Sequence, residues 1–276
     1  MRSLLSRFVR SRPGLLGLAI VVLVTITAVE APVIAHLDPL QTSAASFQAP
    51  GSHSLLGTDN LGRDVWGGVI YGSRVSLLVG VLAASTLTLV GILVGTLAGY
   101  VGGRVDALLM RVVELFQTIP RFFLALVVVA LMGRGLVKII LVLGLLGWPL
   151  TARLIRAELL RLKEREFVEA ARAIGMRGSR IAVRVLLPNA VSPAVVAASL
   201  GASEAILLEA GLWFFGLGDP NFISWGYMLR NAQGYLQRAW WMAVFPGLAI
   251  LLTVFGFNLL GDGLNDALNP RLRQRT

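Results

Sequence analysis

The chain has 276 residues, of which 56% are hydrophobic and only 14% charged, and its mean hydropathy is +0.75. Soluble domains carry nearer about a quarter charged residues, so the bilayer is the expected solvent, and the net charge of +10 sits at the ends of apolar segments rather than in the soluble basic stripe that nucleic acid requires. With no cysteine, disulfides, thiolate metal sites and thiol catalysis are excluded.

A helix needs roughly 20 apolar residues to cross the hydrocarbon core, and six stretches qualify. Residues 1–13 form a basic N-terminal segment (Arg2, Arg7, Arg10, Arg12) before the first span at 14–35. A cleaved signal peptide would have a shorter apolar run, roughly 7 to 15 residues, so an uncleaved span is expected. The turn-rich segment 36–74 holds His36 and His53, the only histidines, with no second pair to complete a metal site. On their own, Asp59, Arg63 and Asp64 read as a loop with local salt bridges. The second span, 75–100, repeats glycine at Gly91, Gly95 and Gly99, a flat stripe that permits close helix approach.

The third span, 108–131, carries Glu114, Gln117, Thr118 and Arg121 at i, i+3, i+4 and i+7, a spacing that predicts one shared helix face. Pro120 frees the Phe116 carbonyl nearby. Charged groups at membrane depth normally face a bundle interior or a water-filled cavity. Two roles stay open: a translocation-path stripe, or a structural stripe in which Arg121 pairs with an acid on a neighbouring helix. The fourth span is 136–155, and a charged loop occupies about 159–188. In the fifth span, 190–214, Ala194, Ala198 and Ala202 repeat the small-residue stripe, while Glu204 and Glu209 lie five residues apart on different faces; pairing at a subunit interface is the role expected for both. Segment 216–239 precedes the sixth span, 240–261, whose opening Trp240 and Trp241 suit the headgroup zone. Residues 262–276 form a tail.

Placing the N-terminus in the cytoplasm puts 18 of the 25 Lys and Arg residues there: four before the first span, Arg104 and Arg111, nine from Arg153 through Arg184, and three after Asn269. The positive-inside rule then sets both termini in the cytoplasm, leaving 36–74 and 216–239 outside.

Within the cytoplasmic loop runs EFVEAARAIGMRGSRIAVRVLLPNA, residues 166–190. As a helix, it aligns Phe167, Ala170, Ala171 and Ile174 on one apolar face, with Glu164 and Glu166 where the helix dipole favours negative charge. Gly175 supplies a left-handed stop, and at Leu187-Pro188 the proline ends one helical segment and can begin the fifth span. Nothing in its own chain is obliged to cover that face, so it reads as a helix that docks in a partner's groove; the alternative is a helix lying on the membrane surface.

The spacing of Glu169-Ala170-Ala171, Gly175 and Leu187-Pro188 resembles the EAA loop of permease subunits in binding-protein-dependent ABC importers, with Val185 where that pattern usually has isoleucine. In that family the loop is the coupling helix that seats in a cleft of the cytoplasmic ATPase. Three further stretches, LLGTDNLGRDVWGGVIYGSRVSL (55–77), FFGLGDPNFISWGYMLRNA (214–232) and WWMAVFPGLAILLTVFGFNLLGDGLNDALNPRL (240–272), narrow the resemblance to the peptide/nickel/opine branch and its dipeptide-permease C-like subunit. The middle stretch is about one residue shorter between Gly218 and Trp225 than the commonest form, and Arg121 replaces an expected apolar segment after the proline.

The resemblance implies an all-α membrane protein, a six-helix type I ABC importer permease in the bacterial cytoplasmic (inner) membrane. The implied partners are a second homologous permease subunit, two ABC ATPases that use ATP and Mg, an extracytoplasmic binding protein and membrane lipid. The site residues so implied are Phe167, Glu169, Ala170, Ala171, Ile174, Gly175, Leu187 and Pro188 for ATPase coupling. Glu114, Gln117, Thr118 and Arg121 are the translocation-path candidates from the third span. No catalytic, metal or cofactor site is expected in this chain: its only lysines, Lys138 and Lys163, follow Val137 and Leu162 and sit in no G-x-x-x-x-G-K-[ST] loop, and no G-x-S-x-G elbow is present. The expected function is half of a pore for ATP-driven uptake of di- or oligopeptides. Nickel chelates, opines, glutathione or sugars are the alternative cargoes, and a stand-alone channel or membrane enzyme is the rival class.

Overall fold

A computed structural model describes residues 6–35, 38–51 and 54–268. Residues 1–5 of the N-terminal segment, His36, His53 and the tail from 269 onward lie outside them. Among the described residues the regular structure is helical, with a lone β-bridge between Thr58 and Asp64. Five helices are long and apolar enough to cross a membrane, and a bent pair makes a sixth when taken as one span.

Helix α1 (Arg12–Val29) starts where the Ser11 hydroxyl accepts from the Gly14 amide and Pro13 occupies the first turn, a proline-tolerant position. Helix α2 (Val65–Val101) is 37 residues long, capped by the Asp64 carboxylate on the Gly67 amide at 2.8 Å. That cap starts the second span ten residues before the expected Val75. At about 1.5 Å per residue the helix greatly exceeds the roughly 30 Å hydrocarbon core, so one end projects beyond the membrane.

The third span departs most from expectation. Helices α3 (Gly103–Thr118) and α4 (Arg121–Met132) meet at 87°. Ile119 is extended, with φ −96° and ψ 130°, the geometry toward which the Pro120 ring biases the preceding residue. Glu114, Gln117 and Thr118 therefore belong to one helix and Arg121 to the next, and the single four-residue face does not exist.

Helix α5 (Leu136–Lys163) runs eight residues past the expected end at Ile155. After it come α6 (Glu166–Ala173), a π-helical turn at Ile181–Leu186 and a short helical turn at Leu187–Ala190. Helix α7 (Ser192–Phe214) begins beside Pro193 rather than Pro188, and α8 (Trp225–Ala232) and α9 (Trp241–Leu268) follow. Helix α9 extends seven residues into the segment expected as a tail.

Small residues set the packing, as they must where lipid removes the hydrophobic drive between helices. The glycine stripe of α2 lies on α5: a Cβ on Gly91 would meet Thr151 at 2.5 Å, and one on Gly95 the Ala152 carbonyl at 2.5 Å. Helices α1 and α9 cross equally closely, since a Cβ on Gly263 would stand 2.3 Å from the Gly14 Cα. In α7, Ala194 and Ala202 are buried, and the Ser199 hydroxyl donates to the Phe257 carbonyl of α9 at 2.6 Å. The central core joins Val79, Ala83, Val129, Leu143 and Leu212 from α2, α4, α5 and α7.

Candidate coupling surface and central cavity

At one end of the bundle, α6 is fixed by its inner face and open on its outer face. Val168 and Ala171 are buried against Leu159, Leu162, Ile181 and Leu186. Ala171, expected on the docking face, thus packs on its own bundle, because the loop folds back under α5. Phe167 is 43% exposed and Ile174 78%, and Glu169 and Ala170 are exposed beside them. The helix stops as its sequence indicates. Gly175 adopts φ +77°, its amide donating to the Arg172 carbonyl and the Met176 amide to the Ala171 carbonyl, the paired bonds of a Schellman cap. A Cβ at Gly175 would meet nothing within 4 Å, so backbone conformation alone calls for glycine there. Leu187 is half-buried and Pro188 exposed.

Residues not singled out by sequence hold this end rigid. Arg156 of α5 grips Asp106 of α3 through two hydrogen bonds, Nη2 to Oδ2 at 2.6 Å. The Lys163 ammonium donates to the Tyr100 carbonyl and lies 5.1 Å from the Tyr100 ring centroid.

A cavity of about 520 Å³ opens at the break between α3 and α4, walled also by α5, α7 and α9. Of the path candidates, Gln117 and Arg121 line it. Glu114 instead pairs with Arg111 on the exposed side of α3 at 3.1 Å, and the Thr118 hydroxyl donates to the Glu114 carbonyl. Arg121 Nη1 lies 2.6 Å from Glu204 Oε2, and its Nη2 donates to the Leu143 carbonyl at 2.7 Å. Of the two roles left open for Arg121, the pairing with an acid on a neighbouring helix is therefore present, and it borders the cavity. Glu204, expected to pair at a subunit interface, is engaged within the chain. Glu209 is buried in its own bundle at 1% exposure, beside the Ser224 hydroxyl and the Trp213 indole.

At the opposite end, residues 59–63 dock on α8. The Arg63–Asp59 pair, Nε to Oδ2 at 2.6 Å, is buried; Arg63 Nη1 donates to the Tyr227 hydroxyl at 2.6 Å and Asn231 to the Asn60 amide oxygen. Burial works against the Arg63 cation, but the Tyr227 hydroxyl and the Asp59 carboxylate outweigh it and raise the pKa above its ordinary value. Asp59 and Arg63 form a local pair as the sequence suggested. Tyr227 and Asn231, more than 160 residues away in the chain, carried no local signal of joining it.

Residues 91–274 match the family described as "Binding-protein-dependent transport system inner membrane component". The chain is 36% identical over 266 residues to a dipeptide transport system permease protein DppC of Alkalihalophilus pseudofirmus, covering 96% of this chain and 88% of that one. It is 38% identical to a di/tripeptide transport system permease protein DppC of Pseudomonas aeruginosa, covering 96% and 90%, and 35% identical to an oligopeptide transport system permease protein OppC of Bacillus subtilis, covering 97% and 88%. Its fold is similar to a chain of the MetNI methionine ABC transporter in inward-facing conformations, with TM-score 0.60, 20% identity, and coverage of 73% of this chain and 96% of that one. A multi-pass helical bundle with a capped helix between two spans, and these matches over most of its length, lead to one assignment: the chain belongs to the binding-protein-dependent transport system inner membrane component family.

Proposed function

We propose that this chain is one half of a heterodimeric pore importing di- or oligopeptides, completed by a second homologous permease subunit and driven by two ATPases that bind ATP and Mg. The observation that carries the reading is α6, a short helix between two spans that is anchored through Val168 and Ala171 and presents Phe167, Ala170 and Ile174 outward. Such a helix transmits force: its inner face moves with α5, and its outer face has the greasy, shallow relief that a groove accepts. ATP binding in the partner subunits would move α6 and shift the pore between inward and outward states, as differential affinity for two conformations requires. Both termini then lie in the cytoplasm, and segments 38–64 and 216–239 meet the extracytoplasmic binding protein. Gln117 and Arg121, at the cavity, are the path residues of this reading. The peptide cargo follows from the relatives' names, dipeptide, di/tripeptide and oligopeptide permeases.

The test is co-purification of the transporter with Phe167→Asp and Ile174→Asp introduced together. Normal permease abundance with loss of ATPase subunits and of labelled dialanine uptake is expected. Wild-type uptake with the ATPases still bound would overturn the coupling role.

A further inference from the structure

We infer that Arg121 is a carboxylate-binding subsite for the cargo and that Glu204 occupies it, as a built-in surrogate, when no cargo is present. This rests on the peptide-import reading and deepens it by naming the chemistry of one contact.

The two members of the pair are held unequally. Arg121 follows immediately on the Pro120 break, its side chain is 18% exposed, and its Nη2 is tied to the Leu143 carbonyl. Position 147 has no side chain, and a Cβ there would stand 2.3 Å from that same Nη2. The guanidinium thus rests in a notch of α5. The Glu204 carboxylate is 52% exposed, and among the described residues Arg121 is its only ion-pair partner. The arginine is the fixed member and the glutamate the movable one.

The guanidinium is also under-coordinated. Its Nε–H is buried and has no acceptor among the described residues, although buried donors are almost always satisfied. Both residues border a cavity of about 520 Å³ that Gln117, Thr151 and Asn265 also line, a volume within the usual range for small-molecule sites.

A free peptide carries one carboxylate and one ammonium. When its carboxylate replaces Glu204 on Arg121, the released glutamate can accept the ammonium, so every charge keeps an opposite partner. That matters because an unpaired charge at low dielectric is strongly disfavoured. A cargo with only an ammonium leaves the site with one positive charge in excess, and one with only a carboxylate leaves a negative excess. The pair therefore selects zwitterions.

The native chain lacks cysteine, so Leu200→Cys, on the cavity wall and 43% exposed in the native residue, gives this chain a single labelling site, read on its own band within the complete transporter. Maleimide labelling is measured during turnover against dialanine, dialanine amide and N-acetyl-dialanine. Dialanine is expected to protect at roughly tenfold lower concentration than either blocked peptide, as one charge-assisted hydrogen bond allows. Glu204→Gln should improve protection by N-acetyl-dialanine several-fold, since it removes the competing carboxylate, and Arg121→Gln should abolish the preference for the free acid. Equal protection by all three peptides, or no gain for N-acetyl-dialanine in Glu204→Gln, would overturn the inference. Dialanine uptake by the Leu200→Cys transporter is recorded in parallel. Intact uptake without this discrimination removes the subsite alone, whereas absent uptake in the native transporter removes the import reading itself.

Discussion

Arg121 reaches across α5 only because Gly147 has no side chain: a Cβ there would lie 2.3 Å from Nη2 and 2.8 Å from Cζ of the guanidinium. Gly147→Ala is expected to push the guanidinium off the Leu143 carbonyl and strain its contact with Glu204. A partly buried cation short of partners costs on the order of 1–3 kcal/mol, read as a lower unfolding temperature of the purified complex. Because the damage acts through Arg121, Gly147→Ala combined with Arg121→Gln should lose much less than the two single losses summed. Strict additivity would show that Gly147 matters for some other reason.

The α2 stripe makes a sharper steric prediction. A Cβ at Gly95 would stand 2.5 Å from the Ala152 carbonyl oxygen, a backbone atom that cannot rotate away, and 2.9 Å from Ile155 Cβ. Gly95→Ala should therefore separate α2 from α5 and destabilise by about 1–3 kcal/mol, the usual range for overpacking. Gly247 in α9 has nothing within 4 Å of a built Cβ, and Gly247→Ala should be neutral or stabilising by about 0.5–1 kcal/mol. Thermal unfolding in detergent compares them, and equal effects would remove the packing role assigned to the stripe.

Local chemistry made much of this fold legible before any coordinates. Apolar length marked the spans, the four-residue glycine spacing marked the α2 face that meets α5, and Gly175 marked the end of α6 together with its left-handed conformation. What failed were inferences that treated a helix as unbroken or unpartnered. The i, i+3, i+4, i+7 spacing of Glu114 to Arg121 is meaningful only on a continuous helix, and a proline biases the residue before it away from helical geometry, a bias that breaks the helix at Ile119 but is overridden before Pro149 and Pro246. Periodicity puts Ala171 on the same face as Phe167 and Ile174, but it does not say which way a helix faces when apolar residues cover more than half its circumference; Val168 widens the stripe and takes the inner side with Ala171. The Arg121–Glu204 pair depends on two residues 83 positions apart, and its one local trace is Gly147, which looks like any other membrane glycine until the guanidinium is placed over it.

The cluster on α8 should behave as one unit. Asp59→Asn would leave the Arg63 cation buried with only the Tyr227 hydroxyl and neutral neighbours, and removing one partner of a buried pair typically costs about 3–5 kcal/mol. Tyr227→Phe removes one hydrogen bond from the same cation and should cost about 1.5–3 kcal/mol. The readout is hydrogen exchange of residues 38–64, which should accelerate strongly in Asp59→Asn and moderately in Tyr227→Phe while exchange at α6 stays unchanged. Unchanged exchange in segment 38–64 for Asp59→Asn would mean that the loop is held by other contacts.

Orientation is testable with the same cysteine-free background. Ser224 is unsuitable as a reporter although it lies in the 216–239 segment, because it is fully buried and its hydroxyl caps α8 by accepting from the Tyr227 amide; Ser52 lies outside the described residues. Gln237 and Ser179 are exposed at opposite ends of the bundle, Ser179 in the charged loop beside α6 and Gln237 just before α9. With nine Lys and Arg residues from Arg153 through Arg184, the loop end should face the cytoplasm, since basic residues near span ends resist translocation. Gln237→Cys should then react with a membrane-impermeant maleimide in intact cells, and Ser179→Cys only after the membrane is opened. Labelling of Ser179→Cys in sealed cells would invert the topology, and α6 would then sit on the wrong side of the membrane to meet any ATPase.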